Sequence, residues 1–415
     1  MDYLITAPDR FHAEVDLPSS KSVSNRALII NELCPERTLL KYLAKCDDTD
    51  VLLHVLSKPE YTVNIDAAGT AMRFLTAFFA QSDEVHILTG SERMKQRPLG
   101  ALLDALRTLG AHIVCLEKEG FAPLHIFGRE LSGGEITIDS SVSSQFISAL
   151  LMIAPRMTQG LRLYLKGTII SRPYIDLTIN MMRRFGVDVM QEGNMFYIPN
   201  QEYRNSDVLT IEADWSAASY WYEMVALSKD PDAEVSFRRL TENSPQGDAV
   251  VAKIFEQFGV KTVFNDGSDT TIFKYPCRVP EFFEYDFLPC PDIAQTLAVT
   301  CAVKGVPFRL TGLQSLVIKE TNRLEALQNE LYKLGVKLHI VEDSILEWDG
   351  KYLCVPVNPC ISTYNDHRMA MAFAPAAMGF ENILIINEDV VTKSYPDFWC
   401  HLQTAGFTLM PQNIA

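Results

Sequence analysis

Residues 102–116, LLDALRTLGAHIVCL, combine an amphipathic helix, a glycine and a strand of alternating apolar and polar residues. The same pattern returns four times, as LTINMMRRFGVDVMQ (177–191), VAKIFEQFGVKTVFN (251–265), LQNELYKLGVKLHIV (327–341) and FWCHLQTAGFTLM (398–410). The shared glycines are Gly110, Gly186, Gly259, Gly335 and Gly406, so the period is roughly 71–76 residues. A glycine at this place suits the left-handed residue that ends a helix, and the alternation after it suits a half-buried strand. The sequence therefore predicts a fold of repeated α/β units.

A sixth, shortened unit is expected near the start of the chain. Residues 50–65, DVLLHVLSKPEYTVNI, are interpreted as a helix and a strand without a glycine between them. Three of the other strands continue into a second β stretch, which predicts a hairpin in each case. Six units of this size indicate two groups of three, with a crossover near residues 238–248, RRLTENSPQGD. We predict an α/β (α+β) fold with two globular domains.

Composition excludes several classes of function. Apolar residues make up 47% and charged residues 21% of the chain, as in ordinary globular proteins. The net charge of −15 argues against a nucleic-acid or anionic-membrane partner, and no apolar stretch reaches the roughly 18 residues of a membrane span. The N-terminus lacks a signal-peptide pattern and the nine cysteines form no CxxC pair, so we expect a cytoplasmic protein with reduced thiols. Eight histidines without HxxxH or HExxH spacing predict no metal site.

The stretch PSSKSVSNRALII, residues 18–30, gathers cations and hydroxyls where a helix is predicted to begin. Lys21 and Arg26 bracket Ser22 and Ser24 at the start of an apolar run. Helix N-termini present free N–H groups and a positive dipole end, and added Lys, Arg and Ser side chains favour an anion there. A simple N-cap with solvated cations explains the same residues, so this stretch alone leaves both interpretations open.

Three further stretches in the first half of the chain have similar chemistry. AAGTAMR (67–73) is a small-residue turn before a helix, GSERMKQRPLG (90–100) holds three cations in five residues, and SSVSSQF (140–146) offers four hydroxyls and an amide. A turn, a solvated loop and a helix cap are the structural explanations for these residues. Taken singly, none of the three stretches is specific for a ligand.

Three stretches of the second half carry charged groups at predicted helix starts: PCPDIAQT (289–296), VIKETNRLEAL (317–327) and TYNDHRMAM (363–371). Asp292 lies at the entrance to a helix, where a capping role is the default explanation. Lys319 and Arg323 are four residues apart on one helical face, which also suits a surface salt bridge. His367 and Arg368 follow an Asx-type N-cap, where an anion is favoured.

In this order and spacing, the stretches resemble the signatures of the enolpyruvyl transferase family, in particular of the branch that acts on shikimate 3-phosphate. The matching segments are LPSSKSVSNRAL, GTAMR, RMKQRPLG, SSVSSQF, SRPYID, NSPQGD, KETNRL, YNDHRMAM and TKSYPDF, which run from residue 17 to residue 398. The resemblance implies a two-globe inside-out α/β barrel with six βαβαββ-type repeats, the first truncated. It implies one globe of residues 1–18 and 242–415, an inserted globe of residues 19–241, and an active site in the cleft between them.

The resemblance also implies a reaction in which the enolpyruvyl group of phosphoenolpyruvate moves to the 5-hydroxyl of shikimate 3-phosphate, without metal or organic cofactor. Asp292 is the expected base and Glu320 the expected proton shuttle, assisted by Lys319, although the sequence leaves open which group acts in which step. The implied phosphoenolpyruvate ligands are Lys21, Gly69, Arg97, Arg323, Arg368 and Lys393. The implied shikimate 3-phosphate ligands are Ser22, Arg26, Ser143, Ser144, Gln145, Ser171, Tyr174 and Lys319, and His367 joins the substrate-binding set. We expect a monomer whose partners are these two small molecules.

Three positions depart from the family pattern. Ala67 stands where the family's turn has Asn, Ser315 where an Asn that helps bind shikimate 3-phosphate is common, and Asn322 where an Asp is usual. Roughly twenty residues of the first repeat are also missing. None of these changes removes a charged group assigned to the active site.

Two other functions stay open at this point. The sister branch of the family acts on UDP-N-acetylglucosamine and usually carries a Cys in the loop before its Arg-Pro pair. Here that loop, GSERMKQRP, has none, and Cys115 lies beyond it in a predicted strand. An inactive anion-binding paralogue is the second possibility, and its expected signature is the loss of an acid–base or phosphate-binding residue.

Overall fold

The computed structural model describes residues 1–140, 143–205, 207–265, 269–353 and 359–412. These residues form two compact units. We call Met1–Ser19 with Glu212–Ala415 the terminal unit, and Ser20–Ile211 the inserted unit. No helix of the described residues combines the length and the apolar character that crossing a membrane requires.

The elements of the described residues are numbered in chain order. The α-helices are α1 (Lys21–Leu33), α2 (Asp47–Ser57), α3 (Gly69–Ala80), α4 (Glu92–Lys95), α5 (Gly100–Thr108), α6 (Ser144–Ile153), α7 (Arg172–Arg184), α8 (Trp215–Leu227), α9 (Val251–Glu256), α10 (Ala294–Lys304), α11 (Arg323–Lys333), α12 (His367–Phe373) and α13 (Phe398–Thr404). The strands are β1 (Asp2–Thr6), β2 (His12–Val15), β3 (Leu39–Lys41), β4 (Thr62–Asn64), β5 (Val85–Thr89), β6 (His112–Cys115), β7 (Leu124–Phe127), β8 (Gly134–Asp139), β9 (Leu161–Lys166), β10 (Met190–Glu192), β11 (Met195–Ile198), β12 (Val208–Thr210), β13 (Glu234–Phe237), β14 (Val260–Phe264), β15 (Thr270–Lys274), β16 (Phe283–Asp286), β17 (Phe308–Thr311), β18 (His339–Val341), β19 (Ile345–Trp348), β20 (Cys360–Ser362), β21 (Ile383–Ile386) and β22 (Thr408–Gln412). Short 3₁₀ helices are Ala154–Arg156, Gly247–Val250, Pro291–Ile293, Gln314–Leu316, Ala374–Met378 and Glu388–Lys393.

The terminal unit contains three sheets with one common plan in its described part. Their strand orders are β14-β15-β13-β2, β16-β17-β19-β18 and β20-β21-β1-β22. Each sheet joins a parallel pair of strands to an antiparallel pair, as in β16 parallel to β17, β17 antiparallel to β19 and β19 antiparallel to β18. The first and last strands of the chain, β1 and β22, pair with each other, so both chain ends belong to one sheet.

Helices form the interior of each unit and sheets form its outer layer. In the terminal unit α8 and α12 pack on α10, and all three are buried on nearly every side, as expected of helices that are apolar all round. Strands such as β8 and β9 alternate buried and more exposed residues, so one face of each contacts the interior. One hydrophobic core lies wholly within each unit, which agrees with the predicted α/β fold with the helices inside.

The five glycines of the repeat all lie where the sequence pattern places them. Gly110, Gly186, Gly259, Gly335 and Gly406 have φ values between +74° and +108°, the left-handed conformation that ends a helix most readily at glycine. The sequence prediction of helix–Gly–strand units is therefore confirmed.

The predicted shortened unit is present, but the strand assigned to it from the sequence was wrong. Sheets β4-β5-β7-β6 and β10-β11-β9-β8 of the inserted unit follow the common plan, whereas in the described residues the third sheet has only β12 and β3. Strand β4, expected to end the first unit, pairs in parallel with β5 and so begins the second. The hairpin is therefore the part that the first unit lacks within the described chain.

The expected domain boundary between residues 241 and 242 also differs from the structure, which divides the chain between Ile211 and Glu212. Strand β13 pairs in parallel with β2 and antiparallel to β15, and this pairing places it in the terminal unit. The polar stretch 238–248 is consequently a connection within the terminal unit. The first boundary lies between Ser19 and Ser20, one residue after the predicted one.

The Asn31 side chain occupies backbone groups next to β3, the strand that lacks a hairpin partner in the described residues. Its Oδ1 accepts a hydrogen bond from Thr38 N at 2.7 Å, and its Nδ2 donates one to Thr38 O at 3.2 Å. This pair of bonds is the one that a neighbouring strand makes in a sheet. Asn31 is nearly buried, so water replaces it poorly.

We predict that Asn31→Leu lowers the free energy of unfolding by about 1–3 kcal/mol, the worth of two hydrogen bonds at about 0.5–1.5 kcal/mol each. Denaturant unfolding monitored by circular dichroism measures the change. Asn205→Leu is the control, because Asn205 is exposed and contacts Glu36 at the surface, and its effect should stay within about 0.5 kcal/mol. Equal stabilities of wild type and Asn31→Leu would contradict the stabilising role assigned to the two Asn31–Thr38 hydrogen bonds.

Glu223 lies inside α8 with no solvent exposure. Burial raises the pKa of its carboxyl well above the ordinary value. The folded protein therefore holds this carboxyl in its neutral form over a wider pH range than the unfolded chain does. Its contribution to stability is complete below the unfolded pKa of about 4.3 and is lost as pH rises toward the folded pKa.

We predict that Glu223→Gln, which keeps the shape and removes the titration, gains stability relative to wild type as pH rises from 5 to 8. The difference should grow by at most about 1.4 kcal/mol per pH unit, the linkage limit for one proton. Urea unfolding at several pH values measures it, with the exposed Glu281→Gln as control. A difference that does not change with pH would show that Glu223 does not titrate in this range.

Candidate active site

In the inserted unit, predicted site residues gather at the N-terminal turns of four helices, α1, α3, α6 and α7, which pack against one another. Ser20 caps α1 by accepting from Val23 N at 3.4 Å, and Ser143 caps α6 by accepting from Gln145 N at 3.3 Å. The Gln145 amide donates to Thr70 Oγ1 in the first turn of α3 at 3.2 Å. Free N–H groups of several helices therefore lie near one another, which favours an anion.

Arg26 is buried and has only neutral hydrogen-bond partners among the described residues. Its Nε donates to Thr178 Oγ1 at 2.7 Å, and its two Nη atoms donate to Ser22 O at 2.9 Å, Ser148 Oγ at 3.2 Å and Tyr174 O at 3.3 Å. Burial lowers the pKa of its guanidinium to about 10. A buried cation without a carboxylate is costly, and an anionic ligand would offset that cost.

Gly69, the first residue of α3, lies directly against Arg97. A Cβ atom at this position would be 2.6 Å from Arg97 Nη1 and 3.3 Å from Arg73 Nη1. Arg73 Nη1 also donates to Gly69 O at 2.9 Å. The glycine thus allows a guanidinium to approach the N-terminus of α3, and in the described chain Arg97 forms no ion pair.

The remaining predicted residues of this unit lie beside these groups. Lys21 Nζ is 3.1 Å from Asp48 Oδ2, a buried carboxylate in the first turn of α2 that the sequence analysis did not select. Ser144 and Ser171 are buried at the starts of α6 and α7. Ser171 has a left-handed φ of 54°, and Tyr174 lies one turn later, with the Arg26 guanidinium 5.9 Å from its ring centre.

In the terminal unit, Asp292 is surrounded by three cations. Its Oδ1 is 3.1 Å from Arg323 Nη1 and 3.5 Å from Lys319 Nζ, and its Oδ2 accepts from Arg368 Nη2 at 3.1 Å. Burial raises the pKa of Asp292, but the three cations outweigh burial and hold it well below the ordinary value. The predicted base is therefore a carboxylate in this structure.

Glu320 shares one of these cations, Arg323, and contacts a further cation, Lys393. Its Oε2 accepts from Arg323 Nη2 at 3.0 Å, and its Oε1 is 3.4 Å from Lys393 Nζ. Asn322, one of the departures from the family pattern, caps α11 by accepting from Leu324 N at 3.2 Å. Glu320 therefore precedes the cap of α11, and Arg323 follows it as the first residue of the helix.

Asp366 connects the two arginines and was not selected by the sequence analysis beyond its place in an N-cap motif. It accepts from Arg323 Nε at 2.7 Å and Nη2 at 3.2 Å, and caps α12 by accepting from Arg368 N at 2.9 Å. A two-point carboxylate contact fixes the plane of a guanidinium. His367, buried beside it, has its Nδ1 3.7 Å from Asp366 Oδ1.

A second carboxyl that sequence reasoning missed lies next to this cluster. The Ser216 hydroxyl donates to Asp248 Oδ2 and accepts from Arg368 Nη2 at 3.4 Å. Burial, and then the negative charge of Asp292, raise the pKa of Asp248 to about 7. Two nearby carboxyls with pKa values pushed apart are an arrangement suited to proton transfer.

The structure thus brings all predicted residues of the terminal unit into one cluster of alternating charges. Across the described ranges, no group of three or more His, Cys, Asp or Glu side chains is arranged to hold a metal ion.

Comparison with known proteins identifies a family. The family model for EPSP synthase (3-phosphoshikimate 1-carboxyvinyltransferase) matches residues 56–402. A 3-phosphoshikimate 1-carboxyvinyltransferase from Bacteroides fragilis strain YCH46 is 49% identical over 407 residues, covering 98% of each chain. One from Sulfurovum sp. is 35% identical over 433 residues, covering 96% of this chain and 98% of that protein. A solved EPSP synthase structure from Acinetobacter baumannii, 22% identical, superposes with a TM-score of 0.77 over 99% of this chain and all of that chain, which supports the fold.

Proposed function

The chain belongs to the EPSP synthase family, and we propose that the residues described above carry out that family's reaction. The protein is a transferase that moves the enolpyruvyl group of phosphoenolpyruvate to the 5-hydroxyl of shikimate 3-phosphate, giving 5-enolpyruvylshikimate 3-phosphate and phosphate. This is a step of the shikimate pathway, which leads to the aromatic amino acids. The observation that carries the assignment of roles is the contact of Asp292 with Lys319, Arg323 and Arg368.

For shikimate 3-phosphate we propose two cations, Arg26 and Lys319, together with hydroxyls, an amide and an aromatic ring. The set consists of Ser22, Arg26, Ser143, Ser144, Gln145, Ser171, Tyr174 and Lys319. Arg26 supplies a charge that no described carboxylate neutralises, and the capping serines supply donors beside free helix N–H groups. A substrate with a phosphate, a carboxylate and hydroxyls matches this mixture of groups.

For phosphoenolpyruvate we propose the arginines and lysines of the terminal cluster, in which cations outnumber the carboxylates that they contact. Arg323, Arg368 and Lys393 contact carboxylates already, but the described cluster holds four cations against the carboxylates of Asp292, Glu320 and Asp366. Lys21, Gly69 and Arg97 are proposed for the same substrate. His367 supports this set from its buried position beside Asp366.

The acid–base chemistry follows from the surroundings of the two carboxylates. Asp292 takes the proton of the 5-hydroxyl, while Glu320 in its protonated form, assisted by Lys319, delivers a proton to the methylene carbon of phosphoenolpyruvate. The tetrahedral adduct then loses phosphate as its methyl carbon returns a proton to Glu320, and the departing phosphate takes the proton held by Asp292. Because three cations hold the pKa of Asp292 low, it is a weak base until substrate anions compete for those cations and raise its pKa. Base strength is thereby coupled to substrate binding.

Two alternatives have less support. The sister reaction on UDP-N-acetylglucosamine would call for a cysteine before Arg97, whereas Cys115 lies on β6 with Arg107 Nη2 3.9 Å from its sulfur. An inactive anion-binding protein would have lost an acid–base residue, whereas Asp292, Lys319 and Glu320 are all present. A phosphate-release assay with each acceptor decides: we expect turnover with shikimate 3-phosphate only.

We further propose a cytoplasmic monomer without a nucleic-acid partner, in line with the net charge of −15.

We predict that Asp292→Asn lowers kcat by about 10²-fold or more, the scale of a lost general base, with a modest change in both KM values. Steady-state kinetics measure this. The control is Asp349→Asn, because Asp349 is an exposed residue of the same unit whose Oδ1 accepts from Lys351 N. Near-normal turnover of Asp292→Asn would show that Asp292 is not the general base and has only a structural role at the start of α10.

We predict that Gly69→Ala raises the KM for phosphoenolpyruvate about tenfold, equivalent to about 1.4 kcal/mol, with little effect on the KM for shikimate 3-phosphate. The reason is that the added methyl lies 2.6 Å from Arg97 Nη1 and displaces that guanidinium. Gly100→Ala is the matched control, since Gly100 is also the first residue of a helix and its nearest neighbour would be 3.8 Å away. Equal KM values for the two variants would rule out the proposed contact.

A further inference from the structure

The turn of residues 363–366 has an unusual backbone at the point where it delivers Arg368. Tyr364 and Asn365 are consecutive residues with left-handed φ values of 56° and 54°. Asn tolerates this conformation, whereas a bulky aromatic residue rarely adopts it. Such outliers persist only where surrounding contacts determine them, so the contacts of this turn identify what holds it.

A buried carboxylate holds the N-terminal side of the turn. Glu330, in the last turns of α11, has no solvent exposure. Its Oε1 accepts from the Tyr364 hydroxyl at 2.7 Å, and its Oε2 accepts from Ser362 N at 2.9 Å and Lys333 Nζ at 2.6 Å. One carboxylate therefore fixes both the backbone before Tyr364 and the end of its side chain.

A second set of contacts holds the other side of the turn. Asn387 Nδ2 donates to Asn365 Oδ1 at 3.0 Å, and Thr363 Oγ1 donates to Ile386 O at 2.9 Å. Asn387 is itself left-handed, with φ of 62°, and immediately precedes the 3₁₀ helix that ends at Lys393. The turn is thus bonded both to the helix of Arg323 and to the segment of Lys393.

The turn ends at Asp366, which determines how two arginines are presented. Asp366 N donates to Thr363 O at 2.9 Å, and the Asp366 carboxylate binds Arg323 and caps α12 at Arg368 N. A change in the backbone at Tyr364 would therefore move the residue that orients both guanidinium groups. Misplacement of a binding group by about 1 Å is enough to weaken a site strongly.

We propose that Tyr364 and Glu330 are positioning residues for the phosphoenolpyruvate site, because their hydrogen bond holds the 363–366 turn in the conformation that places Asp366 and Arg368. The inference rests on the proposed binding of phosphoenolpyruvate by Arg368. Neither residue touches the reacting atoms in this scheme. Their effect reaches the substrate through Asp366.

The first test is Tyr364→Phe, which removes the hydroxyl and keeps the aromatic ring in its unfavourable backbone conformation. We expect the KM for phosphoenolpyruvate to rise about tenfold, or about 1.4 kcal/mol, with much smaller changes in kcat and in the KM for shikimate 3-phosphate. Tyr275→Phe is the matched control, because the Tyr275 hydroxyl also donates a 2.7 Å bond, to Glu256 O, at a residue without positive φ. Equal effects of the two variants, or an equal rise in both KM values, would overturn the proposal.

The second test is Tyr364→Gly, which loses the hydroxyl but accepts a left-handed conformation freely. If the hydrogen bond serves to hold the backbone, the glycine variant should recover part of the phosphoenolpyruvate affinity lost in Tyr364→Phe. A merely structural tyrosine gives the opposite result, with the larger fall in Tm for glycine and an unchanged KM in both variants. Thermal unfolding is therefore recorded alongside the kinetics.

Arg368→Lys, measured in parallel, separates this inference from the function on which it rests. Lysine keeps the charge but cannot reproduce the two-point contact of a guanidinium, so its KM for phosphoenolpyruvate should rise. If it rises and that of Tyr364→Phe does not, the positioning role is wrong while the proposed function stands. If Arg368→Lys leaves this KM unchanged, the assignment of Arg368 fails, and the positioning proposal fails with it.

Discussion

The repulsion between buried cations is the constraint on which the terminal unit's site depends. Four cations meet three carboxylates there: Lys319, Arg323, Arg368 and Lys393 with Asp292, Glu320 and Asp366. Removing one partner from such a buried set leaves an uncompensated charge at a cost of several kcal/mol, so each carboxylate has a structural as well as a chemical duty. The protein as a whole carries a charge of −15, and its anionic substrates are therefore attracted only where cations outnumber carboxylates. Asp366 binds one arginine and caps the helix of the other, whereas Asp292 and Glu320 are the carboxylates that we propose for proton transfer.

The inserted unit stabilises its buried cation, Arg26, without a carboxylate among the described residues. Arg26 is balanced by hydroxyls, carbonyls and a neighbouring aromatic ring, with no carboxylate among the described residues. Neutral oxygens stabilise a buried guanidinium less than a carboxylate does. Arg26 therefore attracts an anionic ligand more strongly than an arginine already paired with a carboxylate would. Lys21, in contrast, is paired with Asp48, and any anionic ligand of Lys21 would compete with that carboxylate. The two units therefore differ in how strongly their cations are engaged before substrate arrives.

Local chemistry could be predicted from the sequence, and long-range pairing could not. The glycines that end helices, the Asx cap at Asp366 and the cations at helix starts are properties of a few neighbouring residues, and the structure contains them where expected. The domain boundary was misplaced because the membership of β13 depends on its pairing with β2, more than 200 residues away. Asp248 was missed for the same reason, since only the fold brings it to Ser216 and Arg368. The left-handed conformation of Tyr364 also has no local signal, and the residue that we propose to hold it, Glu330, lies on α11, 34 residues earlier in the chain.

The loss of a hairpin from the first unit is compatible with activity because of where the proposed site residues lie in the fold. The assigned residues lie in the N-terminal turns of α1, α3, α6, α7, α11 and α12, in the 3₁₀ helices Pro291–Ile293 and Glu388–Lys393, and in the connections before α5, α6, α7 and α11. None of them lies on a hairpin strand, whose role in the other units is to extend a sheet whose outer face is solvated. A unit can therefore shed its hairpin provided that the exposed backbone beside the remaining strand is satisfied. Asn31 satisfies part of this backbone by bonding both the N–H and the C=O of Thr38, next to β3, from a helix whose start carries Lys21, Ser22 and Arg26.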